Sequence, residues 1–447
     1  MTNIDYHKNF EESLKTVKNN LMITSPREKL KYSRDFYDYS PVLKEKLDNC
    51  LAEFVVRPQT VNAVSEIASL CCQYNQPLTI RGSGTGNYGQ CVPLKGGVVM
   101  IMSDINTIRN IDSSTGIVTV ESGCLLKDLS KELSRNERQL RLMPSTWRSA
   151  SIGGFVSGGS GGIGSIKYGF LRDPGHLLGM EVVTIENNSR IIQLDENRSE
   201  PLNHAYGTNG IITSLTISTA PLIEWQEVII DFSDWLEAVN MVKTLNSSAI
   251  ELFLCTLLEK NIVEKLPNWY RRPSDVHRII LLASPDSIST IKRLNSESSS
   301  TVYHIGSEDE SSGKGVKELT WNHTTLHMRK TDPNWTYLQM LLPEEEIPFL
   351  EKIKNVWGNN IFWHIESVKQ NGKQRMAALP VVYWKNEVLL NKLINDCREN
   401  GAIIFNPHVI TVEDGGLGVI DADQVDAKRF YDPMGLLNPG KLKGWPQ

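Results

Sequence analysis

The chain has 447 residues, too many for one hydrophobic core, so length alone argues for two domains. With 40% hydrophobic and 22% charged residues it has ordinary globular composition, and a net charge of −5 with both signs interspersed gives no basic stripe for nucleic acid. The longest apolar runs, Gly97 to Met102 and Ile279 to Ala283, have strand length, so no membrane span is expected, and the polar start at Asp5, His7, Lys8, Glu11 and Glu12 does not read as a signal peptide.

Taken in chain order, residues 1–52 read as a polar, helical extension whose last part, Tyr32 to Pro41, lies against the first domain. Residues 53–222, that first domain, alternate strands and helices. Apolar positions at Val61, Val64, Ile67, Ala68 and Cys71 mark a helix, Pro77 to Ile80 a short strand, and Met180 to Ile185 another. From Trp225 the texture changes to apolar strands (Val228 to Phe232, His277 to Leu282) alternating with helices near Trp235 to Leu245 and Ser287 to Leu294. Residues 223–405 therefore read as a second domain, and 406–447 return to the first. The fold class expected is α+β.

Two glycine-rich segments interrupt the first domain. Arg81-Gly-Ser-Gly-Thr-Gly-Asn-Tyr-Gly89 follows the strand ending at Ile80, in the order helix, strand, glycine turn. Successive backbone N–H groups in such a turn converge on an anion, with Ser83, Thr85, Asn87 and Arg81 as side-chain donors. The spacing Gly82, Gly84, Gly86 is not the G-x-G-x-x-G of a nicotinamide site. The second segment, Gly153 to Gly169, holds eight glycines. Glycine is costly to order, so such a cluster marks backbone that must approach a ligand closely. Ile163, Ile166 and Tyr168 set it apart from a flexible linker.

These pieces, in this order, resemble the FAD-binding domain of the vanillyl-alcohol oxidase and p-cresol methylhydroxylase superfamily, most closely the branch of glycolate oxidase flavoprotein subunits and D-lactate dehydrogenases. The matching stretches are Val56 to Val64, Arg81 to Gly86, Pro144 to Gly154, Lys167 to Gly169, Tyr206 to Thr213, and the closing Asp432-Pro-Met-Gly-Leu-Leu-Asn-Pro-Gly-Lys441. The resemblance implies a two-subdomain FAD-binding domain of the p-cresol methylhydroxylase type plus an antiparallel-sheet substrate cap. It implies that Gly82, Ser83, Gly84, Thr85, Gly86 and Asn87 hold the diphosphate of FAD from one side and Ser151, Ile152, Gly153 and Gly154 from the other, with Arg81, Pro144 and Ser145 also binding the cofactor. Ser157, Gly161, Gly164, Tyr168 and Gly169 would follow the ribityl chain, and Gly210 and Ile212 the adenine. Thr85 stands where some relatives attach the flavin through a His, and no Cys lies between Cys124 and Cys255, so FAD is expected to be non-covalent.

The family oxidises a C–H bond beside an oxygen, which requires a base and, for a carboxylate substrate, a cation. Among nine histidines, His408 is the first choice as base and His364 the second; His323 and His327, four residues apart, would share a helix face. Arg329 and Arg375 are the candidate cations. His364 begins where the hydroxy-acid branch carries His-x-Gly-Asp-Gly-Asn-x-His, but Glu366-Ser-Val-Lys replaces its core, and Asn406-Pro precedes His408. His364 and Glu366 share one strand face and with His408 are of metal-ligating type, yet the altered motifs assign no metal. The expected activity is oxidation of a 2-hydroxy acid of D-lactate or glycolate type. A sugar, polyol or lactone substrate, or a flavin subunit with little turnover of its own, are the alternatives. Seven cysteines, odd in number and without C-x-x-C spacing, fit a cytoplasmic protein, and any iron–sulfur relay would belong to a partner subunit or other electron-acceptor protein.

Overall fold

The computed structural model describes residues 3–267, 269, 275–309 and 312–446. Three larger sheets organise it. The first has the order Asn20–Ile23, Phe54–Pro58, Val98–Ile101, Leu78–Arg81, the last three parallel to one another and the first antiparallel to its neighbour. Helix Val61–Gln73 makes the crossover between Phe54–Pro58 and Leu78–Arg81, capped by Thr60, whose hydroxyl accepts from Ala63 N. Its stripe Val64, Ile67, Ala68 and Cys71 is fully buried, as the periodicity requires. The segment expected to be wholly helical thus also contributes a strand, Asn20–Ile23, between helices Asn3–Thr16 and Pro26–Tyr32.

The second sheet is antiparallel, in the order Ile108–Asp112, Ile117–Glu121, Ile211–Ser218, Leu177–Val183, Ile191–Asp195. The third has eight antiparallel strands: Thr301–Ser307, Gln226–Phe232, His277–Ala283, Leu252–Leu258, His364–Gln370, Lys373–Ala378, Gln339–Leu341, Ile403–Phe405. Its strands read as nearly continuous apolar runs because both faces are covered. Val228, Ile230, Leu257, Ile279, Leu281 and Ile365 pack under helices Trp235–Ser247, Glu346–Trp357 and Glu387–Glu399. Ile229, Leu254, Leu258 and Ile280 face the other way, into a core shared with Ile152, Phe155, Ile163, Leu319 and Met328. Each such side chain contributes about 1.5–3 kcal/mol on burial. That second face is the one on which polar residues stand beside the glycine segments.

The glycine run is not a plain loop. Residues Ile152–Gly158 and Ser165–Tyr168 are short helices with extended, glycine-rich backbone between them. The second helix packs against the strands Leu252–Leu258 and His364–Gln370, anchored by Gly164 N donating to Phe253 O at 2.9 Å. No helix among the described residues is long and apolar enough to cross a membrane.

Candidate active site

The two glycine segments meet. A Cβ on Gly82 would stand 2.2 Å from Ser151 Oγ and 3.4 Å from the Gly154 Cα. Ser151 caps the helix Ile152–Gly158, accepting from Gly154 N at 3.3 Å, while Gly153 N donates to Ser122 O at 2.8 Å. Among the described residues the backbone N–H groups of Ser83, Gly84, Thr85, Gly86 and Asn87 reach no acceptor, nor do those of Ser160 and Gly161. A row of open main-chain donors beside a side-chain-free contact is the donor set a diphosphate requires. Gly84, at φ +70°, is in the left-handed region.

Several residues expected to face the cofactor are turned elsewhere. Arg81 is buried, so its guanidinium needs acceptors inside the protein, and Nη1 donates to Arg34 O at 2.6 Å and Tyr32 O at 3.3 Å. It therefore ties the Tyr32 to Pro41 segment beneath the first loop, where Phe36 N also donates to Gly86 O. Asn87 Nδ2 donates to the Tyr337 hydroxyl at 2.8 Å, and Gly153 has no free N–H. Ser83, Thr85, Gly86 and Gly154 are at least partly open. Ser145 and Ile152 are buried beside them, with Pro144 between Met143 and the turn that Trp147 N closes on Pro144 O. Ser157 O accepts from Tyr206 N, Gly161 sits against Phe170, and Tyr168 lies under the Arg141 guanidinium at 6.0 Å. Gly169 lies beside Lys369 O, on the strand of His364; Gly210 has φ +155°, and Ile212 pairs with Val182. A cavity of about 810 Å³ between the strand Ile108–Asp112 and the helix Leu126–Arg135 contains none of these residues, so size alone does not mark the site.

The candidate histidines differ in what their ring nitrogens meet. His408, expected as the base, is buried with both ring nitrogens occupied, Nδ1 by Ser40 Oγ at 2.7 Å and Nε2 by Tyr337 O at 2.9 Å. Burial pulls its pKa down to about 4. It ties Ser40 of the N-terminal segment to the strand Trp335–Tyr337, with neither ring nitrogen left open. His364 is fully buried, and its Nε2 donates to Glu366 Oε1 at 2.7 Å. Glu366 is held by two further donors, Trp321 N at 2.8 Å to Oε1 and Thr256 Oγ1 at 2.6 Å to Oε2. With Nε2 bearing the proton, Nδ1 is a buried nitrogen without a partner, an imidazole lone pair oriented by a carboxylate. No group of three His, Cys, Asp or Glu among the described residues is arranged to hold a metal.

A second relay leads from His364 to the glycine segments. Trp321 follows the short helix Val316–Leu319, in which Glu318 Oε1 accepts from Arg148 Nε at 2.7 Å and Oε2 pairs with His323 Nδ1 at 3.0 Å. Burial pushes the Glu318 carboxyl up, but donation from His323 and Arg148 outweighs it and leaves the carboxyl below its ordinary range. Arg148 belongs to the Pro144 to Ser151 turn, so one carboxylate links that turn to the segment touching Glu366. His323 and His327 lie on the helix Asn322–Thr331 as their spacing suggested, but His327 is buried on Glu318 O at 2.8 Å and its pKa falls to about 4 through burial. Arg329 is engaged by Pro333 O, Trp335 O and Asp38. Arg375 stands on the same sheet face as Glu366, by the register Glu366 to Ala377 and Val368 to Arg375. It donates to Leu342 O, and among the described residues no carboxylate pairs with it.

Sequence reading missed Trp321, Glu318 and Arg148. Their only signal was position: Arg148 lies between Pro144 and the glycine run, and Trp321 sits just before the His323/His327 pair. Trp321 has φ +51°, a conformation a bulky residue adopts at a cost of about 1–3 kcal/mol, and no side-chain pattern announces it.

A two-layer flavin-loop region with an antiparallel sheet over it is the architecture of a flavoprotein oxidoreductase, and comparison agrees. The FAD binding domain family matches residues 52–195. A D-lactate dehydrogenase of Anaerostipes hadrus is 31% identical over 439 residues, covering 87% of this chain and 89% of that protein. The chain belongs to the FAD-dependent oxidoreductases of the glycolate oxidase and D-lactate dehydrogenase family, and FAD is its cofactor. Glycolate oxidase subunit GlcD of Bacillus subtilis (strain 168) is 27% identical over 211 residues, 45% of this chain and 43% of that one. The chain thus aligns with less than half of that relative, and with 32% of the mitochondrial D-2-hydroxyglutarate dehydrogenase of Danio rerio, at 31% identity over 37% of this chain. Among solved structures, an alkyldihydroxyacetonephosphate synthase superposes with a TM-score of 0.76 at 14% identity, over 98% of this chain and 86% of that one, a likeness of fold.

Proposed function

We propose that the protein oxidises the CH–OH group of a 2-hydroxy acid, with His364 as the base. The observation that carries this reading is the His364–Glu366 pair: a buried imidazole whose one nitrogen is fixed by a triply bonded carboxylate and whose other has no partner.

When bound, FAD supplies the hydride acceptor for the C–H bond. The open N–H groups of Ser83 to Asn87 and the bare contact of Gly82 with Ser151 and Gly154 would hold its diphosphate. Neither loop has a His or Cys to bond the ring. His364 Nδ1 would take the substrate hydroxyl proton, and Glu366 would keep the proton on Nε2 and favour the imidazolium that forms. Arg375 would meet the carboxylate from the same sheet face. Glu318, bonded to Arg148 and His323, would hold the second loop and the Trp321 segment in register over the base. The names of the relatives, D-lactate dehydrogenase and glycolate oxidase subunit, support a hydroxy-acid donor.

The test is anaerobic addition of hydroxy acids and, separately, of neutral sugars to the FAD-loaded protein. Bleaching of the flavin by hydroxy acids alone is expected; bleaching only by neutral sugars, or by neither, would remove the assignment.

A further inference from the structure

The first turn of the helix Asn322–Thr331 begins on the atom that fixes the base. Trp321 N and His364 Nε2 both donate to Glu366 Oε1, so helix and imidazole are two hydrogen bonds apart. Around this junction lie buried polar side-chain atoms without a protein partner: Trp321 Nε1, Asn322 Oδ1 and Thr325 Oγ1, besides His364 Nδ1. Thr325 and His364 are themselves fully buried. Asn322 and Thr325, three apart on that helix, share one side of it, and Trp321 is the residue that precedes it, so a donor, an acceptor and a hydroxyl that can do either belong to one short stretch of chain. An unmet buried polar group costs about 1–3 kcal/mol, which a polar ligand atom would offset at each of these positions. The charged groups nearby are engaged: Arg148 by Glu318, Arg278 by Asp231, Lys317 by Glu308. Trp321, Asn322 and Thr325 carry no charge themselves and stand beside the Glu366 carboxylate, so the cluster suits hydroxyls rather than a second carboxylate. A two- or three-carbon acid has nothing to offer it.

Resting on the hydroxy-acid reading above, we infer that Trp321, Asn322 and Thr325 form a subsite for further hydroxyl groups of the substrate, making the preferred donor a polyhydroxylated 2-hydroxy acid of the sugar-acid class. Trp321 Nε1 and Thr325 would donate to substrate oxygens, and Asn322 Oδ1 would accept from a substrate hydroxyl. The Trp321 backbone, at φ +51°, places its N–H on Glu366.

Anaerobic flavin reduction by D-gluconate and by D-lactate, followed in the wild-type holoprotein and in Trp321→Phe, Thr325→Val and Thr325→Ser, tests this. Gluconate should half-saturate at a concentration at least about tenfold below lactate. Thr325→Val should raise that concentration for gluconate about tenfold while leaving lactate unchanged, Trp321→Phe should raise it for gluconate about tenfold more than for lactate, and Thr325→Ser, which keeps the hydroxyl, should behave as wild type. Reduction by lactate with no gluconate preference, or equal effects on both substrates, would overturn the subsite and leave the hydroxy-acid assignment standing; buried water would then satisfy these atoms. Reduction by no hydroxy acid would overturn both.

Discussion

Gly82 and Ser151, 69 positions apart in the chain, touch so closely that a methyl group on Gly82 would lie 2.2 Å from the Ser151 hydroxyl. That contact closes two glycine segments onto one another and places an edge of open N–H groups beside them. Its consequence is a cofactor site made mainly of backbone, which meets charge without long side chains to order.

Gly82→Ala should therefore damage FAD binding more than folding. The hydroxyl of Ser151 must swing away and release Gly154 N. Titration of the deflavinated variant with FAD should show affinity reduced about tenfold or more, some 1.4 kcal/mol, with the unfolding midpoint shifted by only a few degrees. Wild-type affinity would show that the two loops do not grip the cofactor at this point.

How much of this was legible in the sequence depends on the kind of interaction. The glycine segments, the helix Val61–Gln73 and the strands around Val228 to Phe232 and His277 to Leu282 follow from local pattern, because period and backbone freedom are properties of neighbouring residues. The i, i+2 spacing of His364 and Glu366 likewise put them on one face. What the sequence could not show is which polar groups are already satisfied. Ser40 is 368 positions from His408 and Arg34 is 47 from Arg81, and these long-range bonds occupy polar groups of a candidate base and a candidate phosphate ligand. The strained backbone of Trp321 is imposed by packing and has no local signal.

His408 should make the protein acid-sensitive. Its ordinary value of 6.5 falls to about 4 in the fold through burial, so the unfolded chain takes up this proton at a higher pH than the folded one. The stabilising contribution is complete above pH 6.5 and is lost as pH falls toward 4, by about 3 kcal/mol. Urea unfolding across that window should show this loss in wild type and a flatter, lower profile in His408→Gln. Parallel profiles would show that His408 titrates normally in the fold.

The buried pair of Asp231 and Arg278 should be costly to break and cheap to replace. Arg278 donates from Nε and Nη2 to the two carboxylate oxygens at 2.7 Å each, and both side chains are almost wholly enclosed. Asp231→Leu alone strands a buried guanidinium and should cost about 3–5 kcal/mol; the double variant Asp231→Leu, Arg278→Met should recover most of that. Chemical denaturation of the three proteins measures it, and equal losses in the single and double variants would contradict the pairing.

The assignment of the base is tested most directly by the rate of anaerobic flavin reduction by a hydroxy acid in His364→Gln beside His408→Gln, each with FAD bound. His364→Gln should slow reduction by about 10² to 10⁴ with FAD retained, while His408→Gln reduces at close to the wild-type rate once folded. A normal rate in His364→Gln, or a loss confined to His408→Gln, would contradict the account.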